Sequence, residues 1–180
     1  MIFKFAMVSD EVDNFKRVIT IDSDATFLDL HNAILQATNY KKNQITSFFI
    51  CSDAWEKEQE ITLIEMDASS EFDNLVMEDT VLSDLLTDEG QKLIYVFDII
   101  SDRAFFIELS EIIIGKTQPK AECLLSKGNP PQQIAEDFSP LTASTTSVID
   151  ENFYGDEEYN EDELDEEGFG DMNFDDSSLF

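Results

Sequence analysis

Large apolar side chains recur with a period near two over the first eight positions of the chain, at Ile2, Phe3, Phe5 and Met7. A period of about two predicts a β-strand over residues 1–8. A second β-rich run covers residues 15–21. Because only a short polar turn separates the two runs, we expect them to form a β-hairpin.

The next segment has the spacing of an amphipathic helix. Thr26 is followed three residues later by Asp29, which resembles a capping box with Asp in place of the usual Glu and predicts that a helix begins there. The predicted helix ends near Asn39. Four apolar residues share one of its faces with His31 and Thr38. The six lie at positions i, i+3, i+4, i+7, i+8 and i+11: Phe27, Leu30, His31, Ile34, Leu35 and Thr38.

Beyond this helix the patterning predicts four more strands and one short helix. The strands cover residues 45–51, 60–66, 92–98 and 104–114, and the short helix covers residues 81–86. The resulting order of elements is typical of an α+β fold with a mixed sheet or roll. Its opening order of strand, strand, helix and strand resembles a β-grasp unit.

The charge pattern divides the chain into two parts. Lys127 is the last cation, and residues 128–180 hold 16 of the 40 acidic residues and no basic one. The regular patterning fades from Pro130 onward, and the scattered aromatic residues that follow form no continuous apolar face. We therefore predict a single α+β domain over residues 1–133 and a disordered tail, acidic and studded with aromatic residues, over 134–180.

The net charge of the whole chain is 11 − 40 = −29. This charge excludes simple binding to duplex nucleic acid, which needs clustered cations, and it favours a protein partner with a basic surface. The longest apolar run, residues 93–97, is too short to cross a bilayer, so no membrane interaction is expected. The first residues lack the pattern of a secretory signal, and we expect a cytoplasmic location. The sequence leaves the oligomeric state open.

The sequence contains no pattern typical of a cofactor or metal site. Its glycines are isolated from one another in the first 130 residues, so no glycine-rich loop for a dinucleotide or a phosphate is formed. The two cysteines, Cys51 and Cys123, lie in unlike contexts and are expected to be free thiols. We predict neither a cofactor nor a bound metal.

The second predicted strand and the helix carry a family resemblance. Phe15-Lys16-Arg17, followed by Thr26-Phe27-x-x-Leu30-His31-x-x-Ile34-x-x-Ala37-x-x-Tyr40, resembles the start of the Ri-plasmid ORF-3-like domain family, which reads Trp-Arg-Arg and then Thr-Leu-x-x-Leu-His with the same spacing. Later blocks of the family are similar to residues 82–86 with Gly90, to residues 95–98, and to Cys123 with Pro130 and Pro131. The resemblance covers about residues 1–133.

This resemblance implies an α+β domain, frequently found near plasmids and other mobile elements, whose biochemical activity is not established. It identifies the chain as a divergent member with an added acidic tail. Residues 98–102, Asp-Ile-Ile-Ser-Asp, stand where the family has Asp-Phe-Gly-Asp, and Gln132-Gln133 stand where its Pro-Pro is followed by Glu-Asp. The family supplies no accepted catalytic residues, and we predict none.

Two functions of different kinds are compatible with these features. The first is an uncharacterised, non-enzymatic protein-interaction module whose acidic tail engages a basic partner or mimics the charge of nucleic acid. The alternative is an enzyme or small-ligand-binding domain with a pocket near His31, Tyr95, Asp98 and Asp102. His31 is the only histidine and the one possible imidazole base, but its place on the apolar helix face favours a buried structural role.

The last six residues offer a candidate partner-binding motif. They read Asp175-Asp176-Ser177-Ser178-Leu179-Phe180 and resemble the acidic tip of bacterial single-stranded-DNA-binding proteins, whose terminal Phe enters a pocket on partner enzymes. The Phe180 ring could be buried in such a pocket while its carboxylate pairs with a cation, and Leu179, Asp175 and Asp176 would support it. A solvated terminus that only keeps the protein soluble is the other interpretation.

Overall fold

The structure is a computed structural model of the 180-residue chain, and it describes residues 1–65 and 75–134. Along the chain these residues form β1 (Ile2–Val8), β2 (Lys16–Asp22), α1 (Phe27–Thr38), β3 (Ser47–Cys51), β4 (Lys57–Thr62), β5 (Leu75–Val76), α2 (Leu82–Leu85), β6 (Lys92–Asp98), β7 (Arg103–Ile113) and β8 (Glu122–Lys127). The fold is α+β and consists mostly of sheet.

All of these strands belong to one sheet with the order β5-β4-β3-β6-β7-β1-β2-β8. Neighbouring strands are antiparallel except β4 and β5, which are parallel, so the sheet is mixed as predicted. The expected hairpin at the start of the chain is present, with Phe5 of β1 opposite Ile19 of β2. Strands β5 and β8 lie at the two edges.

Helix α1 begins and ends where the sequence predicts. The Asp29 backbone N–H donates to the Thr26 hydroxyl, and the Thr26 backbone N–H donates to the Asp29 carboxylate, which completes the capping box. Asn39 ends the helix in the left-handed conformation, with φ of 58°. The buried face consists of the six residues expected from the helical spacing: Phe27, Leu30, His31, Ile34, Leu35 and Thr38.

The main hydrophobic core lies between α1 and one face of the sheet. Successive side chains of a strand point to opposite faces, so alternate residues of the central strands meet the helix. Aromatic rings dominate this core and contact one another; the centroids of Phe97 and Phe105, for example, are 4.7 Å apart. The polar side chain of His31 is thus enclosed by large apolar groups.

The other face of the sheet carries a smaller apolar cluster. Cys51, Ile94 and Val96 are buried there, and partly exposed side chains that include Trp55 and Phe106 pack against them. The rings of Trp55 and Phe106 meet edge to face with centroids 5.2 Å apart. This second cluster stabilises the half of the sheet formed by β3, β6 and β7.

Some elements differ from the sequence-based expectation. Strand β4 covers Lys57–Thr62 instead of residues 60–66, because its polar first half pairs with β3 although those side chains are exposed. The sequence does not predict β5 or β8, and every residue of β8 is exposed. Pairing with β2, and not a buried face, therefore makes β8 a strand. Both cysteines are free thiols, as expected.

Several predictions concern residues outside the described ranges. The structure describes nothing beyond position 134, so the predicted disorder of the tail stays a prediction, and so does the domain boundary at residue 133. The β-grasp-like character of the opening is also untested. No helix in the described ranges is long and apolar enough to span a membrane.

Candidate functional site

His31 lies in a buried hydrogen-bonded cluster beneath α1. Its Nδ1 is 2.8 Å from the hydroxyl of Tyr95 on β6 and 3.3 Å from the hydroxyl of Thr46. The histidine is 3% exposed, and Tyr95 is fully buried. Thr46 also donates to the Tyr95 oxygen, so we assign the closer Tyr95 hydroxyl as the donor to Nδ1 and place the proton of the neutral ring on Nε2.

Burial determines the protonation state of this cluster. Burial, and to a smaller extent the charge of Lys42, lower the pKa of His31 from 6.5 to about 4. Burial also raises the pKa of Tyr95 above its ordinary value, so its hydroxyl stays protonated. At neutral pH the pair is therefore uncharged, which removes the cost of burying an ion in the core.

The two aspartates of the predicted pocket are engaged elsewhere, in the turn between β6 and β7. Asp98 Oδ1 accepts hydrogen bonds from the backbone N–H groups of Ile100 and Ser101, at 3.2 and 3.3 Å. Asp102, the last residue of the turn, with φ of 49°, accepts one from Lys57 at 3.0 Å. The structure thus brings together His31 and Tyr95 but gives both aspartates other partners.

The sequence does not single out Arg103, the residue with the densest set of polar contacts near this turn. Its Nε and Nη2 both donate to the Glu11 carboxylate, at 3.0 and 2.7 Å, and Nη2 also donates to the Gln132 carbonyl. This contact with Glu11 raises the pKa of the arginine. Arg103 also lies over the ring of Phe97, at 5.1 Å. Its guanidinium therefore joins three separate parts of the chain.

An open cleft of about 400 Å³ lies beside Arg103. Acidic and polar side chains surround it, including Asp10, Glu11 and Asp102, and Phe106 supplies an apolar wall. Neither His31 nor Tyr95 lines it. In the part of the chain that the structure describes, no three His, Cys, Asp or Glu side chains are grouped so that they could hold a metal ion.

Arg17 is a second arginine whose role the sequence does not reveal. It is 3% exposed, yet its guanidinium donates to backbone carbonyls of Ala37, Lys127 and Gly128, at 2.9, 2.7 and 3.1 Å. These bonds join the end of α1 to the end of β8. The sequence carries two signals, a charged residue inside an apolar strand pattern and the place of Arg17 in the family motif, and neither identifies these partners.

Residues 128–134, which we call the closing segment, return from β8 to the end of α1. The Tyr40 hydroxyl donates to the Pro131 carbonyl at 2.6 Å. The Gln133 side chain both donates to and accepts from the backbone of Lys41, at 2.7 and 2.8 Å. The Pro-Pro element suggested by the family resemblance is therefore part of the folded body.

Two adjoining clefts, of about 270 and 430 Å³, separate α1 from β8 and the connection that precedes it. Their shared wall is formed by Ala33, Gln36 and Ala121. Asp22 lines the first cleft, and a hydrogen bond from the Gln118 backbone N–H is the main cause of its lowered pKa. The surface next to β8 is thus concave and partly apolar.

The candidate partner-binding residues at the end of the chain are Leu179, Phe180, Asp175 and Asp176. They lie outside the described residues, as does every residue from position 135 onward. Their role stays a prediction.

Comparison with known proteins identifies the family and not an activity. Among curated proteins, none matches the chain. Among solved structures, a protein of unknown function from Methanosarcina mazei Go1 is 20% identical, with a TM-score of 0.49 and coverage of 67% of either chain. The family model described as plasmid pRiA4b ORF-3-like protein matches residues 4–175, which extends beyond the 133 residues of the predicted resemblance and includes most of the acidic tail. The chain therefore belongs to the plasmid pRiA4b ORF-3-like protein family.

Proposed function

We propose that this protein is a non-enzymatic protein-interaction module whose acidic segment, residues 134–180, engages a basic surface of a partner protein. The observation that carries the proposal is the charge asymmetry of the chain: 16 acidic residues and no basic one after Lys127. Such a segment attracts a basic partner over a distance and raises the association rate. It also repels duplex nucleic acid, so no direct contact with DNA is part of the proposal.

The state of the polar residues in the body supports the non-enzymatic half of this proposal. A general base must reach the proton that it abstracts and must have a pKa near the working pH. His31 is enclosed in the core and neutral, with its Nδ1 bound to Tyr95. The alternative, a ligand pocket near His31, Tyr95, Asp98 and Asp102, would require the core to open and the turn to rearrange.

The location of the protein and the opening of its fold belong to the same proposal. A cytoplasmic location suits an acidic interaction module with free thiols, and the plasmid origin in the family's name supports an association with mobile elements. The strand, strand, helix, strand order of residues 2–51 supports a β-grasp-like opening.

The terminal motif gives this proposal a sharp test. The intact chain, Phe180→Ala, and a chain extended by two glycines after Phe180 are used as baits in affinity purification, and the recovered proteins are identified. Phe174→Ala is the matched control, because it removes a ring from the same segment and leaves the terminus intact. We expect the intact chain and the control to recover the same basic partner, with recovery falling as salt increases.

Loss of that partner with Phe180→Ala and with the extended chain would show that the ring and the free carboxylate are both recognised. Equal recovery by all four baits would remove the terminal motif from the proposal. If the intact chain and a chain ending at Gln133 also recover the same proteins, the acidic segment is not the partner-binding element.

A further inference from the structure

Strand β8 leaves one edge of the sheet open. It is the last strand in the sheet order and, among the described residues, it pairs only with β2. All six of its residues are exposed, and two leucines lie at its centre, Leu124 at 59% and Leu125 at 42% exposure. An open edge with apolar side chains is a ready template for pairing with another strand.

The opposite edge of the sheet has a different character. Strand β5 pairs with only the last two residues of β4, Ile61 and Thr62. The remainder of β4, residues 57–60, is exposed and reads Lys-Glu-Gln-Glu. Charged residues of this kind discourage pairing at a sheet edge. Of the two edges in the described sheet, β8 is therefore the one suited to association.

A β-bulge determines which faces the charged residues of β8 occupy. Glu122 lies opposite Thr20, and Lys127 lies opposite Lys16, with Leu124 as the extra residue of the bulge. Lys16 and Thr20 are four residues apart in a regular strand, so they share a face of the sheet. Glu122 and Lys127 consequently share a face as well, whereas residues five apart in a regular strand would not.

This arrangement makes β8 complementary to itself. In an antiparallel pair about a two-fold axis between Leu124 and Leu125, Glu122 comes opposite Lys127 of the partner subunit, and the same pair recurs at the other end. Opposite residues of antiparallel strands must lie on one face, and the bulge satisfies this requirement. Among the described residues, neither Glu122 nor Lys127 has an ion-pair partner within the chain.

We propose that this protein associates with a second copy of itself through antiparallel pairing of the two β8 strands, which joins the two sheets into one. The pairing shields the two central leucines from water. It also places the Glu122 carboxylate of the second copy beside Lys127, which within its own chain lies opposite the like charge of Lys16 in β2. The edge is short and each chain carries a charge of −29. The dimer is therefore weak and depends on concentration.

Sedimentation of the intact chain from about 1 to 500 µM, at about 0.15 M salt to limit long-range repulsion, measures this association. Glu122→Lys and Lys127→Glu each place two like-charged pairs in the dimer, and we expect each to raise the dissociation constant at least tenfold. The double variant restores both pairs and should return to within about threefold of the parent. Glu58→Lys on β4 is the matched control, because it changes the net charge as Glu122→Lys does and leaves β8 intact.

Mixing the two single variants gives the most specific result. In their heterodimer, both cross-strand pairs again join a lysine to a glutamate, so two proteins that do not self-associate should associate with each other. Hydrogen exchange of the parent should show protection of residues 122–127 that increases with concentration. A parent that stays monomeric throughout, a single variant that dimerises like the parent, or a mixture that stays monomeric would overturn the proposal.

Discussion

At the scale of single residues, the polar side chains of the body are held by partners that are distant in sequence. His31 bonds to Tyr95, 64 positions away, and Arg17 bonds to backbone carbonyls about 110 positions away. Helical spacing predicts that His31 is buried, but not which hydroxyl it meets, because that depends on how β6 packs beneath α1. Backbone carbonyls leave no mark in the sequence, so the role of Arg17 could not be predicted.

Substitution of His31 tests its structural role. We expect His31→Leu to retain the fold and to lower the free energy of unfolding by about 1–3 kcal/mol, because the Tyr95 hydroxyl loses its acceptor. His31→Asp should lower it by about 3–5 kcal/mol, since a carboxylate would be buried without a partner. Urea unfolding followed by circular dichroism measures both values. Equal stability of the two variants would indicate that residue 31 is solvated.

His31 also makes the stability depend on pH. Its pKa is about 4 in the folded protein, below the ordinary 6.5, so between these values the unfolded chain binds a proton that the folded chain does not. The contribution is therefore fully present above about pH 6.5 and is lost as the pH falls toward about 4. Between about pH 7 and 5, the parent should lose about 2 kcal/mol more stability than His31→Leu.

The measurement is urea unfolding of the parent and of His31→Leu at both pH values. The difference between the two proteins isolates the histidine from the many carboxylates, which titrate in both. A difference that does not change with pH would contradict the assignment of a neutral, buried imidazole.

At the scale of elements, the sequence predicts those whose side-chain pattern repeats. Helix α1 and the β1–β2 hairpin have such patterns, and their positions are confirmed within one or two residues. Strand β4 begins earlier than predicted and β8 is not predicted, because their exposed side chains do not alternate between core and solvent. Register with a neighbouring strand positions these segments, and a single sequence does not reveal that register.

The junction after β8 gives a test with an internal control. Gly128 has φ of +70°, and a Cβ there would lie 2.7 Å from the carbonyl oxygen of Asn14. Gly115 has φ of +77° with nothing within 4 Å of the same position. We expect Gly115→Ala to cost about 1 kcal/mol from backbone strain alone and Gly128→Ala to cost at least about 2 kcal/mol, because the backbone must also move.

Thermal and urea unfolding of both glycine variants provide the comparison. If the two substitutions cost the same, the approach of Gly128 to the turn between β1 and β2 is looser than the structure describes.

At the scale of the whole molecule, the closing segment is bound to the folded body. Tyr40, Lys41 and Arg103 each bind its backbone or side chains, although the composition of the sequence suggests that order fades from Pro130. Gln133, the predicted last residue of the domain, contacts Lys41, and the boundary itself stays a prediction. Charge asymmetry predicts an interaction role for the rest of the chain, but no pattern in the sequence identifies the partner.

Two truncations test the contribution of the closing segment. A chain ending at Gln133 keeps these contacts, and we expect a cooperative thermal transition within a few degrees of the parent. A chain ending at Gly128 loses the bonds of Tyr40, Lys41 and Arg103 and should be less stable by several kcal/mol, about 1 kcal/mol for each lost hydrogen bond. Equal stability of the two truncations would mean that residues 129–133 do not stabilise the body.

The central claim is that the one side chain best suited to acid–base chemistry is part of the core and that function lies at the surface. His31 is the only histidine, so NMR of the intact protein labelled in histidine reports on it directly. We predict a neutral ring protonated on Nε2 from about pH 8 to 5, with protonation only near a pKa of about 4. A titration midpoint near 6.5 would show a solvated imidazole that is free to bind ligands and would contradict this account.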